Sequence, residues 1–143
     1  MKRAFPAPLG AVSEANVSRA DKLQSIKKRQ DFKRVYSQGK YAADSLFVAY
    51  ALANDLTHNR LGVTVSKKAN KSAVVRNRVR RWVKESLRLR FKESGSRPIC
   101  YDLVVVARAK ATELDRKAGA FFTVNESIDS LLGRINKKAG FLL

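Results

Sequence analysis

Cysteine, histidine, tryptophan and methionine occur once each in this chain of 143 residues, and only 12 residues are acidic. A single cysteine, Cys100, excludes an internal disulfide and any thiolate zinc cluster; beside Tyr101 it reads as a small buried hydrophobe. A single histidine, His58, in a polar stretch, excludes a two-histidine acid–base mechanism. The acids are scattered. Glu113 with Asp115 and Glu126 with Asp129 are the only close pairs, and both sit among cations, as solvated edges do. A metal-dependent nuclease needs a tighter carboxylate cluster. Leu61-Gly62-Val63 carries one glycine inside a strand pattern, so there is no glycine-rich phosphate loop, and Ser66-Lys67-Lys68 lacks the partners of a serine nucleophile. No apolar run approaches the roughly 18 residues of a membrane span, and Met1 to Ala20 has no secretory hydrophobic region. By itself the polypeptide reads as non-catalytic.

What the chain does have is positive charge. The formal net charge is +18, against a background of 45% hydrophobic residues. That is enough apolar material for a real core, so the charge decorates a folded domain and calls for a polyanionic partner. The densest field runs from Lys67 to Phe91, where lysine and arginine face one acid, Glu85. At about 100° per residue, Val75, Val79, Trp82, Val83 and Leu87 fall on one side of a helix. Asn77, Arg81, Lys84 and Arg88 gather on the other, flanked by Arg78 and Arg80. One side buries; the other offers guanidinium forks that grip phosphate oxygens with paired hydrogen bonds. Asn77, a neutral amide between Arg76 and Arg78, can meet a ribose hydroxyl, a base edge or a water. The segment reads as a nucleic-acid binding helix.

Along the chain, residues 1–22 read as a flexible basic tail, 23–138 as one RNA-binding domain and 139–143 as a short C-terminal tail. Lys28 to Gln38 reads as a helix closed by Gly39 in a left-handed cap, with Phe32, Val35 and Tyr36 inward and Lys33 and Arg34 directed elsewhere. Tyr41–Ala43 reads as a short strand, and Leu46–Leu52 as a longer one with Leu46, Val48, Tyr50 and Leu52 on one face. Arg60–Ser66 is a further strand, Ser72 the N-cap of the basic helix, and Ser94–Pro98 a break. Tyr101–Ala107 is apolar enough for a strand covered on both faces. Phe121, Val124, Ile128, Leu131, Leu132 and Ile135 recur at helical spacing. The order is that of an α/β sandwich, helices on a small sheet. Phe32, Tyr36 and Tyr50 read two ways: as core, or as a platform on which unpaired bases stack while Lys33 and Arg34 hold the backbone.

Arg60 to Lys68 (RLGVTVSKK), followed by Ala73 to Arg81 (AVVRNRVRR), closely resembles the protein subunit of bacterial ribonuclease P. The likeness extends through Asp31-Phe32, Gly39-Lys40, Phe47 to Tyr50 and Tyr101 to Arg108, covering residues 23 to 136 or so. It implies a two-layer α/β fold of order αβββαβα, a small mixed four-stranded sheet and a left-handed crossover, against the right-handed default. It implies a subunit of an endoribonuclease that hydrolyses one phosphodiester of precursor tRNA to release the 5′ leader, with catalysis in a large RNA that holds Mg²⁺. Carried over by residue, Lys67, Lys68, Arg76, Asn77, Arg78, Arg80 and Arg81, extended along the helix by Lys84 and Arg88, would face that catalytic RNA. Phe32, Lys33, Tyr36 and Tyr50 would line a cleft for the precursor-tRNA leader. No membrane, no organic cofactor and no obligate protein partner are expected, and the location expected is cytoplasmic. The rival from composition alone is a ribosomal-type or general RNA-binding, annealing protein. Trp82, often aliphatic in the family, and the long stretch before Leu23 are the departures.

Overall fold

The computed structural model describes residues 23–93 and 99–143; the expected tail over 1–22 and the break at Ser94–Pro98 lie outside them. Strand β1 (Gln24–Ser25) leads to helix α1 (Arg29–Gln38), then β2 (Lys40–Ala43), β3 (Phe47–Asn54) and β4 (Arg60–Val65). The basic helix α2 (Ala73–Glu93) follows, then β5 (Cys100–Ala107), a short α3 (Ala109–Thr112) and α4 (Ala120–Ala139). The sheet order is β1-β4-β5-β3-β2. β5 runs parallel to β4 and antiparallel to β3. Parallel neighbours need a long crossover, and α2 is that crossover. The sequence reading counts four strands; the fifth is β1, two residues that Gln24 and Ile26 pin by donating backbone N–H groups to Asn59 and Leu61. A pair this short leaves no periodic trace.

One face of the sheet carries α2 and α4. Val79, Val83, Leu87 and Phe91 of α2 meet Val124, Ile128, Leu131, Leu132 and Ile135 of α4 over Leu103 and Val105 of β5. Each such fully buried side chain contributes about 1.5–3 kcal/mol of transfer free energy. The 3.6-residue spacing thus fixes what each helix buries. Trp82 and Val75 are half-buried at the rim. Ser86 Oγ donates to Asn125 Oδ1 at 2.6 Å and locks the two helices in register. The N-cap expected at Ser72 is present, its Oγ accepting the Val75 N–H at 3.3 Å. After α4, Leu143 turns back into the core, its carbonyl accepting from Arg90 and Asn136.

The opposite face is covered only in part, by α1. Strand β3 serves both faces: Val48, Tyr50 and Leu52 share one face as expected, and Leu46 is the exception. Phe47, Ala49 and Ala51 are fully buried beneath the two long helices, while Tyr50 and Leu52 pack toward α1. Leu46, just outside the strand, joins the first group. Alanines hide this pattern, because small residues bury where helices approach closely. Gly39 is extended (φ −75°), not left-handed. Its reason is space: a Cβ there would meet Val35 O at 2.4 Å and Ala51 O at 3.0 Å. Cys100, expected buried, is half-buried at the start of β5 beside exposed Ile99.

Candidate nucleic-acid interface

Asn77, Arg81, Lys84 and Arg88 are all exposed on α2, as periodicity predicts. Their availability differs. The side chains of Arg81 and Lys84, with those of Lys67 and Lys68 beyond β4, make no hydrogen bond or ion pair among the described residues. Arg88 is held by Glu85, donating at 2.6 and 3.0 Å; that hydrogen bond holds the Glu85 carboxyl below its usual range. Arg78 pairs with Asp115 of the α3–α4 loop. Arg76 turns back to the carbonyls of Asn70 and Lys71 at 3.0 and 2.9 Å, bracing the segment before the helix. Arg80 donates to Asn77 Oδ1 at 2.8 Å, which leaves the Asn77 amide nitrogen as the group presented outward. The helix therefore carries two kinds of cation. Some shape the surface and some remain open to phosphate.

The strand register builds a second surface on the α1 side. Arg60, Asp102 and Leu52 are paired across β4, β5 and β3; two residues on come Gly62, Val104 and Tyr50, with Tyr41 of β2 beyond. The next row is Thr64, Val106 and Val48, with Ala43 beyond. Side chains two apart share a face, so these rows form one floor. α1 roofs the first two. The Phe32 ring lies on Gly62, where an added Cβ would sit 2.4 Å from its Cε1. Tyr36 meets Tyr50 edge to face at 4.9 Å. Among the described residues nothing roofs the third row, and its four side chains are half-buried. Beyond it the same strands reach exposed Ser66-Lys67-Lys68 and Arg108. An apolar floor with aromatic walls and a cationic end suits single-stranded nucleic acid, since bases stack and the backbone seeks charge.

A charged clamp holds α1 in place. Asp102, with no exposed side-chain surface, accepts from Arg60 at 2.8 and 2.6 Å, Asn54 at 2.7 Å and Arg34 at 3.2 Å. Arg60 also reaches Asp31 on α1 at 3.2 Å. Burial pushes the Asp102 carboxyl up, but the hydrogen bonds from Arg60, Asn54 and Arg34 outweigh it and hold the group below its ordinary value. The bond to Asp102 raises Arg60 above its already high value, against the effect of burial. Only Val35 of α1 is fully buried, so these ion pairs carry much of its attachment. Arg34 thus points inward to carboxylates, not elsewhere as expected, and its charge is spent there. Lys33 is exposed.

Of the aromatics, Phe32 and Tyr50 are half-buried and Tyr36 is exposed, so core and platform readings each describe part of the set. The sequence reading missed Val48, Thr64, Val106, Tyr41 and Arg108. Alternation in β3 and β5 was a signal for the valines; nothing local pointed to the register that aligns them. Among the described residues no three His, Cys, Asp or Glu side chains are grouped to hold a metal ion, and no helix is long and apolar enough to cross a membrane.

Comparison with known proteins bears on family and fold. The model of the family described as Ribonuclease P matches residues 21–135. The ribonuclease P protein component of Caldanaerobacter subterraneus subsp. tengcongensis is 50% identical over 112 residues, covering 78% of this chain and 89% of that protein. That of Clostridium botulinum is 42% identical over 119 residues, covering 83% and 96%. Among solved structures, the RNase P protein of Staphylococcus aureus superimposes with a TM-score of 0.63 at 34% identity, covering 79% of this chain and 95% of that one. The RNase P protein of Thermotoga maritima gives 0.63 at 31% identity, covering 80% and 96%.

Proposed function

Because the chain belongs to the family of bacterial ribonuclease P protein components, we propose that its two surfaces divide two polyanions between them. As such a component it is the protein subunit of an endoribonuclease, partners an RNA subunit and serves 5′ maturation of tRNA. In our reading the row Lys67, Lys68, Asn77, Arg81 and Lys84 faces the catalytic RNA, with Arg76, Arg78, Arg80 and Arg88 shaping that row as well as adding charge. The 5′ leader of precursor tRNA runs along the open sheet face, stacked on Tyr36 beside Phe32 and Tyr50, with Lys33 at its backbone. The observation that supports this is the register: the aromatic row continues through Val48, Thr64 and Val106 straight toward Lys67, Lys68 and Arg108.

Chemistry is assigned to the RNA and the polypeptide alone is non-catalytic. Mg²⁺ is assigned mainly to the RNA, whose phosphates supply the hard oxygen ligands that cation prefers. The protein's cations screen repulsion between catalytic RNA and substrate, lowering the Mg²⁺ required, and its cleft lengthens the grip on precursor tRNA. No obligate protein partner is invoked, and the cytoplasm is the proposed location.

The test is binding of precursor and mature tRNA by the protein reconstituted with a bacterial ribonuclease P RNA at low Mg²⁺. Tyr36→Ala should cost about fivefold or more for the precursor, the low end of one stacked base at about 1–3 kcal/mol, and little for mature tRNA. Equal losses for both would remove the leader from this face. A protein that binds mature and 5′-extended tRNA equally well would instead be a general RNA binder.

A further inference from the structure

Tyr41 ends the second row of the floor at the sheet edge, and its surroundings single it out. It stands on edge strand β2 directly opposite Tyr50 in the antiparallel register, so the two rings share the floor's face. The rings are 5.8 Å apart and tilted by 34°, within the range of interacting aromatic pairs. Tyr36, Tyr50 and Tyr41 thus make a continuous row from α1 across β3 to the sheet edge. Tyr50, in the middle, is half-buried, while Tyr36 and Tyr41 leave 40% and 53% of their surface in solvent. The middle ring is support; the outer two are what a ligand meets.

Charge lies beside Tyr41. Lys138 of α4 reaches round the sheet edge, its Nζ 4.9 Å from the Tyr41 ring centre and donating to the Tyr41 carbonyl at 3.1 Å. One carbonyl uses one of three ammonium donors, and the cation–π contact helps hold the ring in its exposed setting. An exposed ring beside an ammonium group, continuous with an aromatic row, matches the pairing of base and phosphate in single-stranded RNA.

We propose that Tyr41, with Lys138, forms an outer stacking subsite for a leader nucleotide farther along the 5′ leader than the one held by Tyr36. The subsite rests on the leader-cleft reading and extends it: leader nucleotides past Tyr36 still add affinity, and this edge is where they do so. Stacking there tolerates any base, so the gain depends on leader length rather than sequence.

The experiment measures affinity of the protein reconstituted with a bacterial ribonuclease P RNA for precursor tRNAs whose leaders lengthen one nucleotide at a time. Wild type should gain affinity in steps to a plateau. Tyr41→Ala should lose the last step, about tenfold, or about 1.4 kcal/mol, while Tyr41→Phe keeps it; thermal midpoints verify that both variants fold. A Tyr41→Ala curve matching wild type at every length would overturn the subsite, as would an equal loss for mature tRNA. Tyr36→Ala separates the two readings. If it flattens the curve and Tyr41→Ala does not, the subsite falls and the cleft stands; if neither does, the cleft falls with it.

Discussion

Replacing Asp102 with asparagine removes one negative charge from a side chain with no exposed surface while nearly keeping its shape. Three elements lose a partner at once: Arg60 on β4, Arg34 on α1 and, in part, Asn54 on β3. Removing one partner of a buried ion pair typically costs about 3–5 kcal/mol, because the other charge stays buried and uncompensated. Arg60 keeps Asp31 at 3.2 Å, and the Arg34 side chain is 44% exposed and rehydrates. Both place the loss at the low end, about 3 kcal/mol, or a fall of about 12 °C in thermal midpoint for a domain of this size. The dependence on pH has a definite sign. The folded-state carboxyl lies below its ordinary value, so its stabilisation is complete above the unfolded value of about 3.9 and disappears as pH falls through the folded one. Urea titrations of wild type and Asp102→Asn at pH 7 and at successively lower pH should show a gap that is widest at pH 7 and closes in acid. A gap below about 1 kcal/mol at pH 7, or one that stays constant into acid, would refute the clamp as a source of stability.

Two other perturbations probe the two surfaces. Gly62→Ala should destabilise by about 1–3 kcal/mol, since its Cβ meets the Phe32 ring at 2.4 Å. Combining it with Phe32→Leu should recover part of that in a denaturant titration, and a neutral single substitution would mean that the ring is not seated on β4. Arg81→Ala and Lys84→Ala, two α2 cations whose side chains have no partner among the described residues, should each lower the slope of log affinity for the RNA subunit against log salt by about one. Arg88→Ala should lower it less, its charge being offset by Glu85. An unchanged slope in the first two would move the RNA surface off this side of the helix.

Much of this protein was legible locally along its chain. Its net charge called for a polyanion. The period of Val79, Val83 and Leu87 set which side of α2 is buried, so Arg81 and Lys84 had to face solvent. Val124 to Ile135 did the same for α4. The block around Arg76-Asn77-Arg78 after Ser66-Lys67-Lys68 carried the resemblance to one family. These are local properties, written in residues a turn or two apart. The other features depend on residues far apart in the chain. Arg78 is engaged because Asp115 lies opposite it, and Arg34 is engaged because Asp102 does. Neither pairing has a period. Tyr41, Tyr50, Gly62 and Val104 share one row only because four strands take one register. A slip of one residue would send each side chain to the other face. Helical period tells which way a side chain points, but a hydrogen bond needs a partner within about 3 Å, and only the folded chain places one there.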